Sequence, residues 1–157
     1  MSVHRATVTW SLGVGGEEFL ARRYSRVHKI AFEGGLEVVG TPSPSVVPAP
    51  WSRADALDPE AAFTAALSAC HMLWFLDHAV SAGFVVASYA DATEGTLGRI
   101  ARGKLGMTRV VLRPTVVFAG DKRPTAEEIE GLHQAAHRDC FIANSVTTEV
   151  VVEPPLA

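Results

Sequence analysis

Hydrophobic and polar residues change rhythm several times along the 157-residue chain. In "ATVTW" (6–10) and "YSRVHKIAF" (24–32), β-branched and aromatic residues alternate with polar ones, the two-residue period of a half-buried strand. "GVGG" (13–16) turns the chain between them, and "EGG" turns it again before a short third strand, "LEVVG" (36–40). On the second strand Arg26, His28, Ile30 and Phe32 share one face. From Thr41 to Asp58 the prolines at 42, 44, 48 and 50 remove backbone donors and keep the chain in an extended loop.

The period then becomes helical. Asp58, Pro59 and Glu60 supply a capping side chain, a residue whose φ is already set, and a carboxylate at the positive end of the dipole. The helix is predicted to run to about Ala82, with Gly83 as its stop. Its second half, "LSACHMLWFL", is apolar on nearly every face and is expected to be buried all round, which one small chain does not achieve alone and which points to a second subunit. "FVVASYA" (84–90) and "MTRVVLRPTVVF" (107–118) read as long strands, joined through "DATEGTLGRIARGKLG" as a hairpin or a loop, with Pro114 at an edge or bulge. Thr125 and Glu128 form a capping box, and the helix behind it carries Ile129, Leu132, Ala136 and Cys140 on one stripe, so Cys140 faces inward. "SVTTEVVVE" (145–153) closes the chain as a strand. The order predicts an α+β fold with a mainly antiparallel sheet, read as a single domain over residues 1–157.

Charge and composition remove whole classes of function. A net charge of -3, without a basic run, gives no electrostatic footprint for nucleic acid or anionic lipid. The apolar run at 61–76 is broken by Thr64, Ser68 and His71 and falls short of the roughly 20 residues a membrane span needs. Met1 to Arg5 lacks the pattern of a secretory leader, so the expected compartment is the cytoplasm. In a reducing compartment two cysteines, Cys70 and Cys140, are either catalytic, metal-binding or inert core residues rather than a permanent staple.

Cys70 lies too far along its helix for the dipole to activate it, so a reactive thiolate there needs a cation from elsewhere. Arg26 is the candidate, its alternative being an exposed strand charge. Glu60 serves either the helix start or a site. It stands ten residues before Cys70, roughly 15 Å along a helix axis, and would join the thiol only if the helix began later or a twofold partner brought the carboxylate in. His133, His137 and Cys140 form a helical ladder that could hold a metal with Cys70 or His71, although the spacing matches no compact metal motif. His71 and His78 are better read as hydrogen-bonded side chains. Phe63 and Trp74 flank Cys70 on its stripe, so a molecule reaching the thiol would meet hydrocarbon.

"DPEAAFTAALSACHMLWFL" (58–76) resembles the cysteine-bearing helix of the OsmC/Ohr family, the osmotically inducible and organic hydroperoxide resistance proteins. "AHRDCFIANSV" (136–146) is similar to the family's second cysteine segment, and "TEGTLGRIARGKLGMTRVVLRPTVVF" to its paired strands, so the resemblance runs from about Tyr24 to the end. It implies an OsmC-like, intertwined α+β homodimer that reduces organic hydroperoxides. Cys70 would be the peroxidatic cysteine and Cys140 the resolving one. Arg26 would stabilise the thiolate, and Glu60 would hold the guanidinium. The implied reductant is a dithiol, dihydrolipoamide or a lipoylated protein, and no metal, flavin or haem is required. The alternative class is a non-catalytic protein that binds a lipid or small molecule, with both cysteines merely buried.

Overall fold

Three antiparallel strands, β1 (Ala6–Thr9), β2 (His28–Phe32) and β3 (Glu37–Gly40), form a sheet in the order β1-β2-β3. The structure, a computed structural model, describes residues 1–153, and the chain divides into two units, from Met1 to Ala62 and from Phe63 onward. In the first unit the β2–β3 turn places Gly34 and Gly35 at φ of 93° and 89°, a conformation that costs glycine nothing. The sequence between β1 and β2 does more than turn. It forms a short helix, α1 (Gly16–Leu20), whose Phe19 ring meets Tyr24 at 4.6 Å and Trp10 at 6.1 Å.

The strand expected over 24–32 begins only at His28. Its partner β1 ends at Thr9, opposite Lys29, so the preceding residues have no ladder to join. Their backbone groups bond elsewhere: the Arg26 N–H donates to the Trp51 carbonyl at 3.1 Å, and the Arg26 carbonyl lies 2.9 Å from His28 Nδ1. Arg26 is therefore a loop residue and does not share a strand face with Ile30 and Phe32.

The long helix, α2 (Pro59–Ser81), starts where the sequence places it, with Ala61 N–H donating to Asp58 Oδ1 at 2.7 Å. Gly83 ends it at φ 76°. It is not buried all round within the chain. Thr64, Leu67, His71, Phe75 and Ala79 form a single buried stripe, while Leu73 is 62% exposed and Val80 74%. Apolar composition was continuous around the helix, but this chain supplies cover for one face only.

In the second unit β4 (Val85–Asp91) pairs antiparallel with β7 (Pro114–Ala119). The segment between them is a hairpin, β5 (Glu94–Ala101) and β6 (Lys104–Leu112), and β8 (Glu149–Val152) adds to β6 in parallel. The single strand expected over 107–118 is two strands. Arg113 N–H leaves the ladder to donate to Asp91 Oδ1 at 2.6 Å, and Pro114 opens β7 at the first position, where its missing donor is tolerated. The last helix, α3 (Ala126–Asp139), is followed by a 3-10 turn (Ala143–Ser145). Phe75 and Ala79 pack with Phe84, Leu132 and Ala136, whereas Leu67 packs with Val110 and Leu112. Among the described residues no helix is long and apolar enough to cross a membrane.

The capping box at α3 is present in both directions: Glu128 N–H donates to Thr125 Oγ1 at 3.2 Å and Thr125 N–H to Glu128 Oε2 at 2.8 Å. Thr125→Ala is expected to lower the unfolding free energy by about 1 kcal/mol, read from the urea midpoint; an unshifted midpoint would show that the box contributes nothing.

Candidate active site

The middle of α2 and the end of α3 bring the two cysteines together. Cys70 is half-buried at mid-helix, and Cys140 is the 1% exposed C-cap of α3; both are free thiols, and the Cys70 side chain is near enough to act on the Cys140 proton. Cys140 Sγ also receives the Ala143 N–H at 3.4 Å. Burial, and then donation of its S–H towards the Cys70 sulfur, push the Cys140 thiol up to about 11, against the smaller opposing pull of the Ala143 and Ile142 backbone. Cys140 is therefore a protonated thiol at neutral pH.

Cys70 opens onto a cavity of about 370 Å³ lined by Leu73, Trp74, Asp77 and Phe141. Trp74 meets Phe141 edge-on at 5.3 Å and stacks with His78 at 5.8 Å, while His78 Nε2 lies 2.9 Å from Asp139 Oδ2. The hydrocarbon expected beside the thiol is there, but Phe63 is not part of it: Phe63 packs against the Leu67, Val110 and Leu112 cluster. Phe141 takes that place. Its only sequence signal was its position directly after Cys140.

His71 turns inward, away from solvent, and meets His133 of α3. Nε2 of His71 is 3.1 Å from Nδ1 of His133, the rings stack at 5.4 Å with 10° between their planes, and the residues are 1% and 4% exposed. Only half of the hydrogen bonding expected of His71 is satisfied, because His71 Nδ1 and His133 Nε2 have no partner among the described residues. Burial, reinforced by His133 and His137, lowers His71 to about 4; burial lowers His133 to about 4 against the opposing charge of Asp91. The metal ladder is accordingly divided, His133 going to His71 and Cys140 to Cys70, and among the described residues no group of three side chains could hold a metal ion. The sequence marked His71 as part of an apolar helix but gave no sign of its pairing with His133.

The other two candidate residues lie in the first unit. Glu60 is the second residue of α2, so the helix does not start late enough to bring it beside Cys70 along the same helix. Arg26 is half-buried, donates from Nη1 to the Tyr24 carbonyl at 3.2 Å, and holds its guanidinium 4.2 Å above the Tyr24 ring. With Val8, Trp10, Phe19, Tyr24 and His28 it lines a cavity of about 360 Å³.

The α+β scaffold agrees with comparison to known proteins. The family model described as "OsmC-like protein" matches residues 52–154, and the chain belongs to that family. An OsmC-like protein of unknown function from Vibrio cholerae is 49% identical, with a TM-score of 0.94 over 99% of this chain and 100% of that one. An organic hydroperoxide resistance protein from Elizabethkingia anophelis shares the fold at 22% identity, with a TM-score of 0.70 over 98% of this chain and 94% of that one. The organic hydroperoxide resistance protein OhrB of Bacillus subtilis shares it at 18% identity, with a TM-score of 0.61 and 98% of each chain covered. No curated protein matches the sequence.

The buried imidazoles set an acid limit on stability. Both are neutral in the fold to about pH 4, whereas in the unfolded chain they bind protons near 6.5. The stability contributed by keeping them neutral is complete above pH 6.5 and is lost as pH falls towards 4, because the unfolded chain takes up protons first. Urea titrations across that window should show a decline that the His71→Leu/His133→Leu double variant lacks. Equal declines in both proteins would assign the acid limb to other groups.

Proposed function

We propose that the protein is a thiol-dependent organic hydroperoxide reductase, a single OsmC-like domain acting as a cytoplasmic homodimer. The observation that supports this reading most is the proximity of two free thiols, one of which, Cys70, opens onto an apolar cavity. Cys70, the more exposed of the pair, is the peroxidatic residue. Its thiolate attacks one peroxide oxygen, the O–O bond breaks, and the alkoxide leaves to become an alcohol on taking a proton, with Cys70 left as a sulfenic acid. Cys140 then attacks that sulfur. Water departs and a disulfide remains, which a dithiol such as dihydrolipoamide, free or carried on a protein, reduces while being oxidised to its own disulfide.

Leu73, Trp74 and Phe141 favour alkyl or aryl peroxides over hydrogen peroxide, since each buried methylene is worth about 0.8 kcal/mol. Arg26 is assigned to the negative charge on the thiolate and on the departing oxygen, and Glu60 to holding its planar fork. With the start of α2 fixed at Pro59, we assign Glu60 to the thiol of a second subunit.

Cys70→Ser is expected to abolish consumption of cumene hydroperoxide, and Cys140→Ser to allow one oxidation that stops at a dimedone-reactive sulfenic acid. Full turnover by both variants would remove the assignment. Arg26→Ala should slow the oxidation of Cys70 by about 10²-fold in stopped-flow measurements, the scale on which loss of a charge-stabilising donor acts. A rate matching the parent's would exclude Arg26.

A further inference from the structure

His71 follows the proposed peroxidatic cysteine in sequence, and its partner His133 stands two helical turns before Cys140. Thiols and imidazoles thus meet between the same pair of helices. The imidazole contact is a costly way to fill a core. Whichever ring donates, one donor and one acceptor remain buried without partners among the described residues, and each such group carries a desolvation cost. Two apolar side chains would fill the space without that cost. What they would not supply is direction: apolar contacts let helices slide and rotate, whereas a hydrogen bond has a narrow optimum of distance and angle. A disulfide also has a narrow window, with Cα atoms about 4.4–6.8 Å apart. The other bond between these helices, His78 to Asp139, is partly exposed and accordingly a weaker constraint.

We propose that His71 and His133 are positioning residues whose buried bond sets the height and rotation of α2 against α3, and so holds the Cys70 sulfur where Cys140 closes on it. The proposal rests on the reading of Cys70 and Cys140 as a redox pair, but requires only that they form a disulfide. The thiol–disulfide equilibrium therefore tests it apart from peroxide chemistry: two protein thiols and oxidised dithiothreitol give the protein disulfide and reduced dithiothreitol, two electrons passing to the reagent. Peroxide consumption by the parent protein is measured separately, and its absence would remove the reductase reading without touching this one.

Two double variants divide the outcomes. His71→Leu/His133→Leu removes the bond and the unpartnered nitrogens; His71→Gln/His133→Asn keeps amides at the Nε2 and Nδ1 positions and can restore the bond. With folding confirmed by circular dichroism, the leucine pair should lower the equilibrium constant for disulfide closure by about tenfold, as loss of pre-set geometry does, and the amide pair should return it to within about threefold of the parent. A parent-like constant in the leucine pair, or an equal fall in the amide pair, would overturn the proposal. Should the leucine pair not fold, His133→Gln replaces it, since its amide sits one bond beyond the Nδ1 position. The same tenfold fall is then expected, and parent-like closure overturns the proposal.

Discussion

The inner stripe of α2 is buried against the rest of the second unit, and a polar side chain on it needs a partner from there. Leu67, Phe75 and Ala79 need none and pack as simple hydrocarbon. His71 does need one, and its ring is held by another ring 62 residues away in sequence. Cys70, one residue earlier and therefore about 100° around the helix, lies at the edge of the same seam, where one side is packed and the other open. The second unit thus has a buried side, where the two imidazoles meet, and an open side, where Cys70 faces a cavity.

The family assignment and the chemistry rest on different supports. The relative at 49% identity has no stated function, and the proteins described by hydroperoxide resistance share the fold at 22% and 18% identity. Membership in the OsmC-like family is secured by the sequence model over residues 52–154. The reductase reading depends on this chain's own residues: a thiol held at the wall of an apolar cavity, with a second, protonated thiol as its neighbour.

Where the sequence was informative, the signal was local. Asp58-Pro59-Glu60 and Thr125–Glu128 mark helix starts through bonds made within four residues, and both stand as read. The inward direction of Cys140 followed from a helical stripe, which one chain suffices to bury. Apart from the short helix α1, read as a turn, the misreadings of strands concern partners distant in sequence. Arg26 lies in a strand-like run, but strand length is decided by where β1 ends, and β1 ends too soon. Arg113 interrupts a continuous β pattern because the carboxylate of Asp91, from another strand, takes its N–H. The His71–His133 bond needed the helix crossing itself to be known. The roles given to Glu60 and Arg26 come from the resemblance.

Phe141 is 69% exposed at the cavity lip and is joined by one peptide bond to Cys140. On the proposed chemistry, the bond to the sulfur of residue 140 forms one peptide link away from that ring, so the position that closes the cycle and the lip that a hydrophobic molecule meets first are neighbours along the backbone.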